Sequence, residues 1–147
     1  MSLLDQLKAR RAEIAKGVHF TVKVPRWTDP SVAVRFEAPD SDELDRAYRR
    51  LDKAKTGHAK FDINSKFLAG LVTDVFVIDD TTNDAEPVSF DQLAAALDIP
   101  ASPQDALKAL FFTQPDMLAT LDALAKWAGE EGERVDDDLL DEVKSGN

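Results

Sequence analysis

The sequence predicts an α+β fold that is mostly helical, with an N-terminal helix, a small antiparallel β-hairpin or sheet, and a C-terminal helical bundle. Apolar and polar residues alternate with a period of two in residues 18–24 and again in residues 32–36, which is typical of strands with one buried face. From residue 89 onward, apolar residues recur at helical spacing behind successive N-cap signals. The length of 147 residues suits one domain of ordinary size. We therefore expect one α+β domain over residues 1–129 and an acidic, frayed or disordered tail over residues 130–147.

The domain is expected to divide into two parts. Residues 1–60 are predicted to hold a helix, a hairpin and a basic helix, and residues 61–129 are predicted to form a helical half. The first helix covers residues 3–16 and stops at Gly17, a residue type that commonly ends helices. Its apolar residues recur at near-helical spacing: Leu3, Leu4, Leu7 and Ile14.

Two strands follow, and each has one apolar face. The first ends at Pro25, because proline cannot donate a backbone N–H to a sheet. The second resumes after a short connection, in the segment "VAVRFE". A hairpin alone is only marginally stable, so helices are expected to cover its apolar side. The residues assigned to that side are Val18, Phe20, Val22 and Val24 in the first strand and Val32, Val34 and Phe36 in the second.

The middle of the chain is predicted to contain two helices. Asp40 with Glu43 three residues later resembles a capping box, and Gly57 is expected to close the helix that begins there. A second helix is predicted over residues 65–73. Residues 75–78 form either a short buried strand or an extension of that helix, and the composition of "DDTTNDAEP" predicts a loop.

Three N-cap signals organise the last third of the chain. Ser89 with Gln92 forms a capping box, and Ser102 precedes a proline at the first helical position. Thr113 is expected to start a further helix, so residues 105–127 are predicted to form two helices hinged near Thr113–Pro115.

Composition and charge limit the classes of function. The chain has no cysteine, which excludes disulfides and thiolate sites and fits a reducing cytoplasm. The sequence contains no run of about 18 apolar residues, so we predict no membrane span. The net charge of −10 argues against nonspecific nucleic-acid binding, which depends on Lys and Arg.

The charge is unevenly distributed along the chain. Residues 1–60 carry 13 basic and 9 acidic side chains, whereas residues 61–147 carry 5 and 19. Opposite signs would suit head-to-tail contact between copies or a partner with a basic face. Two solvated surfaces that keep the protein soluble explain the charges as well, and this interpretation is favoured.

No familiar catalytic or metal-binding motif is complete. The two histidines, His19 and His58, are isolated and predicted to be surface polar residues. A calcium loop around Asp80 and Asp84 lacks its turn glycine, because Ala85 occupies that position. We therefore predict no enzyme activity, no cofactor and no metal. The basic helix around Tyr48 could touch nucleic acid, but interleaved acids favour ion pairing on a solvated face.

The helices of residues 105–127 carry more apolar surface than one core contact needs. Their apolar arc exceeds the ~100° typical of an amphipathic helix, so part of it must face a second neighbour. That neighbour is either another element of the same chain or a binding partner, and Phe, Trp and Met are enriched at binding surfaces. The candidate partner-binding residues are Phe111, Phe112, Met117, Leu118, Leu121, Leu124 and Trp127.

The chain as a whole resembles the tail assembly chaperones of long-tailed, siphovirus-type bacteriophages, especially those that infect actinobacteria. The resemblance lies in general character rather than in an invariant motif, and the family has no catalytic residues. The acidic C-terminal segment has no counterpart in the resemblance. The segments that carry it are "LLDQLKARRAEI", "FTVKVPRW", "SVAVRFEAPD", "NSKFLAGLVTDVFVID" and "VSFDQLAAALDIP".

The resemblance implies a role in viral tail assembly in the host cell cytoplasm. Such proteins bind the long helical tape measure protein and keep it soluble until the tail tube protein polymerises around it, and they are absent from the mature virion. The implied partners are the tape measure protein, the tail tube protein and further copies of the chain, without nucleic acid or membrane. Two alternatives are a structural virion component, such as a head–tail connector or tail tube subunit, and an enzyme using an unrecognised pair of acids.

Overall fold

The computed structural model describes residues 2–17 and 19–145, with side chains described for residues 2–11 and 19–130. The described residues form six helices and a four-stranded antiparallel sheet, which confirms the mostly helical α+β prediction. The elements in chain order are α1 (Leu3–Gly17), β1 (His19–Lys23), β2 (Ser31–Glu37), α2 (Ser41–Lys53), α3 (Gly57–Ala69), β3 (Val72–Ile78), β4 (Ala85–Val88), α4 (Phe90–Leu97), α5 (Pro103–Leu110) and α6 (Gln114–Ser145).

Helix α1 has its own N-terminal cap. The Ser2 hydroxyl accepts from the backbone N–H of Asp5 at 3.1 Å, and the Asp5 carboxylate accepts from the backbone N–H of Ser2 at 3.4 Å. This reciprocal pair satisfies two backbone donors that a helix start would otherwise leave open. The predicted place of Ile14 on the apolar stripe and that of Val18 in the first strand lie outside what the structure describes.

The four strands lie in the order β1-β2-β3-β4, so each strand pairs with its neighbour in sequence. Residues 75–78 belong to strand β3 and are not an extension of a helix, and the last three residues of the predicted loop "DDTTNDAEP" belong to the short edge strand β4. Residues 61–129 therefore supply half of the sheet and are not purely helical as predicted. A row of valines runs across all four strands in register and marks the inner face of the sheet: Val22, Val34, Val75 and Val88.

The prediction for the middle helices is wrong at their shared boundary. Helix α2 starts at the expected N-cap, Asp40, but ends at Lys53, and Gly57 begins α3 instead of closing α2. The Thr56 hydroxyl accepts from the Ala59 N–H at 3.1 Å and caps the new helix. Helix α3 spans Gly57–Ala69, so it begins eight residues before the predicted helix 65–73 and ends four residues before it does. The glycine stop signal was misleading because a threonine N-cap directly precedes it.

The N-cap predictions for the last third are confirmed. Ser89 and Gln92 form both bonds of a capping box, at 3.1 and 2.8 Å, and the Ser102 hydroxyl accepts from the Asp105 N–H at 3.1 Å. The Thr113 hydroxyl accepts from the Asp116 N–H at 3.3 Å, so the hinge between α5 and α6 lies where it was expected. Helix α6 extends to Ser145 and contains most of the segment predicted as an acidic tail.

The hydrophobic core lies between the inner face of the sheet and helices α3, α5 and α6. Its central residues are almost fully buried: Val34, Phe36, Leu68, Val75, Leu107, Leu110, Phe111, Met117, Leu121 and Leu124. Among the described residues, no helix combines the length and the apolar character that a membrane crossing requires.

Candidate partner-binding surface

Four of the seven candidate partner-binding residues belong to the core of the chain. Phe111, Met117, Leu121 and Leu124 are each exposed by 1% or less. The broad apolar arc of α6 is accounted for inside one subunit, because α6 contacts α3 and also reaches β1. A docking face built from these four side chains is therefore contradicted in this conformation. Their sequence pattern correctly indicated a second neighbour, and the chain itself supplies it.

Leu118 and Trp127 are half-buried and pack at the edge of the same core. The Trp127 ring stacks on Phe20 of β1, with ring centroids 5.5 Å apart and an interplanar angle of 28°. This geometry lies in the range typical of stabilising aromatic pairs. Trp127 thus joins the last core turn of α6 to the edge strand and offers only part of its surface to a partner.

Phe112 is different, because 62% of it is exposed. Its neighbour Phe111 follows the last residue of α5 and has an extended backbone, with φ −96° and ψ 116°. Successive side chains of an extended backbone point in opposite directions, so burial of Phe111 directs Phe112 outward. The core contact of one phenylalanine thereby fixes the exposure of the next.

The exposed ring does not stand alone. Trp27 lies against Phe112, with ring centroids 6.1 Å apart and an interplanar angle of 21°, and the indole N–H of Trp27 donates to the Leu110 carbonyl at 2.8 Å. We call the exposed surface of Trp27 and Phe112 the aromatic patch. The hydrogen bond orients the indole, and an oriented side chain loses less conformational entropy when a partner binds.

An ion pair borders the aromatic patch. Arg26 has a positive φ of 76° in the connection after β1, and its guanidinium Nε lies 2.9 Å from an Asp116 carboxylate oxygen in the first turn of α6. The arginine side chain is 57% exposed, so the pair contributes little to stability. The ion pair does join the segment between β1 and β2 to the start of α6, next to the rings of Trp27 and Phe112.

The acidic loop after β3 is organised by its own hydrogen bonds. The Asp80 carboxylate accepts from the Asp29 N–H at 2.6 Å and from the Ser31 hydroxyl at 2.7 Å, and these bonds hold its pKa below the usual value. Asp79 accepts from the backbone N–H groups of the two threonines that follow Asp80. The described part of the chain contains no group of three or more His, Cys, Asp or Glu that could hold a metal ion.

The basic helix α2 is tied to α6 through its tyrosine. The Tyr48 hydroxyl donates to an Asp122 carboxylate oxygen at 2.6 Å. Burial, this hydrogen bond and the negative charge of Asp122 raise the pKa of Tyr48 above its ordinary value. The tyrosine therefore has a structural contact, and the nearby carboxylate makes the surface less favourable for phosphate.

Sequence analysis missed a second exposed apolar surface, on α1. Leu3, Leu4 and Leu7, which share the predicted apolar stripe of the first helix, are 80%, 77% and 65% exposed. Helices α3 and α6 already contribute to the core against the sheet.

Protein-family models, curated proteins and solved structures all give no match to this chain.

Proposed function

We propose that the protein is a bacteriophage tail assembly chaperone that binds the tape measure protein and keeps it soluble in the host cell cytoplasm during tail assembly. The family resemblance of the sequence is the starting point for this proposal. The observation that carries it is the aromatic patch, in which Phe112 stays 62% exposed against an oriented Trp27. Aromatic side chains are enriched at protein interfaces and among the residues that contribute most of the binding energy.

The chemistry of the patch fits an amphipathic helical client. A helix with apolar side chains at i, i+3, i+4 and i+7 can place one of them against the two rings, while Arg26 and Asp116 offer polar contacts at the margin. One patch is small and binds weakly by itself. A long client with repeated apolar turns would bind many copies, and association of the copies with one another would increase the total affinity.

Direct measurement of client solubility tests this function. The tape measure protein is co-produced with the wild-type chain or with Phe112→Asp, and the soluble fraction of the client is compared. We expect wild type to keep the client soluble and Phe112→Asp to lose most of that effect, because a charge replaces the exposed ring.

Ala119→Asp is the matched control, because Ala119 is an exposed residue of α6 outside the aromatic patch and the charge change is the same. Equal client solubility with wild type and Phe112→Asp would contradict the proposal. Recovery of the protein in stoichiometric amounts from purified virions would also contradict it and would favour a structural tail component.

A further inference from the structure

A groove of about 500 Å³ lies between helices α2 and α3, and we call it the α2–α3 groove. Its volume is within the range of about 300–1,000 Å³ that is typical of protein binding sites. The groove shares no residue with the aromatic patch, so it is a separate surface. Its lining combines three apolar residues with three charged ones: Ala47, Ile63, Phe67, Arg50, Asp62 and Lys66.

The apolar residues of the groove are anchored in the fold. Ala47 of α2 is buried, and Ile63 and Phe67 of α3 are half-buried and pack against the hydrophobic core. Phe67 follows Ile63 by four residues, so the two side chains lie one above the other on α3, about 6 Å apart along its axis. The floor of the groove is therefore an apolar strip with helical spacing, held in place by the core behind it.

The charges of the groove are not balanced. The Asp62 carboxylate accepts from the Lys108 ammonium at 2.6 Å and from the Gln104 side-chain amide at 3.2 Å. The hydrogen bond and the positive charge of Lys108 hold the pKa of Asp62 below its usual value, so this carboxylate is ionised and already paired. Arg50 and Lys66 are exposed, and neither forms an ion pair with a described side chain. Two uncompensated cations thus stand beside the apolar floor.

Each wall of the groove places a cation one turn beyond an apolar residue. Arg50 follows Ala47 on α2, and Lys66 follows Ile63 on α3, each by three residues. Residues three or four apart are neighbours on a helix surface. A partner helix with apolar side chains at i and i+4 matches the spacing of the floor, and acidic side chains beside them reach the two cations.

Charge complementarity decides which helix fits. A neutral apolar helix would cover the two cations without compensating them, and a basic helix would be repelled. The chain carries a net charge of −10, but exposed charges more than about 8 Å away are largely screened at physiological ionic strength. The cations that border the groove therefore outweigh the distant acids, and they favour an acidic partner.

We propose that the α2–α3 groove is a docking site for an acidic amphipathic helix of a partner protein. Apolar side chains of that helix pack on Ile63 and Phe67, and its carboxylates pair with Arg50 and Lys66. The proposal concerns a surface other than the aromatic patch and does not depend on the identity of the client.

Two fluorescent peptides test the proposal on the full-length chain. Both are about 20 residues long, so that they can form a helix, and both carry leucines at i and i+4. The residues next to the leucines are glutamates in one peptide and lysines in the other. Fluorescence anisotropy at physiological salt should show the glutamate peptide binding at least about tenfold more tightly than the lysine peptide. Arg50→Glu with Lys66→Glu should abolish or reverse that preference, because both cations of the groove become anions.

Lys53→Glu with Lys55→Glu is the matched control. It makes the same charge change on exposed residues outside the groove, and Lys53 shares the last turn of α2 with Arg50. The preference for the glutamate peptide should persist in this control, and also in Phe112→Asp, which separates the groove from the aromatic patch.

Three results would overturn the proposal. The first is a wild type without preference for the glutamate peptide, or a preference that survives Arg50→Glu with Lys66→Glu. The second is one-to-one binding of dodecanoate that the same variant loses, without binding of the glutamate peptide, which would assign the groove to a small amphipathic anion. The third is a self-associated wild type that the variant makes monomeric, which would assign the groove to contact between copies of the chain.

Discussion

The adjacent residues Phe111 and Phe112 should respond very differently to the same truncation. Phe111 is 1% exposed and belongs to the core, so Phe111→Ala removes a buried ring and leaves a cavity. Such changes cost about 3–5 kcal/mol of the free energy of unfolding. Phe112 is 62% exposed, so about two-fifths of the ring is buried and no closed cavity forms. Scaling the ~1.5–3 kcal/mol of full burial by that fraction gives a cost of about 1 kcal/mol for Phe112→Ala.

Urea unfolding followed by far-ultraviolet circular dichroism measures both costs, and thermal unfolding provides a second measurement. For a chain of this size, ~1 kcal/mol lowers Tm by about 2–4 °C. Phe111→Ala should therefore lower Tm by roughly 6–20 °C, and Phe112→Ala by about 2–4 °C. Should Phe111→Ala fail to fold, Phe111→Leu gives a smaller loss that can be compared with Phe112→Leu. Equal losses at the two positions would refute the assignment of one ring to the core and the other to the surface.

Three further predictions concern individual hydrogen bonds. Tyr48 is the only tyrosine, so the ultraviolet absorbance of tyrosinate reports its titration directly, and Asp122→Asn should lower its raised pKa. Because the pKa of Tyr48 is raised in the folded chain, the protonated hydroxyl contributes its full stability below pH ~10, and this contribution is lost as the pH rises further. Tyr48→Phe should therefore remove that loss of stability above pH ~10. Ser89→Ala should reduce the free energy of unfolding in urea by about 1 kcal/mol, because the hydroxyl that accepts from the Gln92 N–H is lost. Asp80 has a lowered pKa, so its contribution to stability is present above pH ~4 and is lost as pH falls through ~4 and below; acid unfolding of Asp80→Asn should lack that component, and an unchanged acid transition would contradict it.

The sequence determined those features that depend on neighbouring residues. The N-caps at Asp40, Ser89, Ser102 and Thr113 were predictable because each side chain bonds to a backbone N–H only two or three residues away. Strands β1 and β2 were predictable because an alternating pattern reports one buried face. The role of Gly57 was predicted wrongly because two local signals are adjacent: a glycine that commonly ends a helix directly follows Thr56, which caps the start of one.

Tertiary structure decided the features that depend on distant pairing. Strand β4 has few strand-forming residues, and it is a strand because Ala85–Val88 pairs with β3. Tertiary structure also decided which of the candidate partner-binding residues are exposed. Seven apolar residues look alike in sequence, yet the folded chain buries four of them, half-buries two and leaves Phe112 exposed. Periodicity determines which residues share a face, whereas burial depends on which element occupies the space opposite, and that element is distant along the chain.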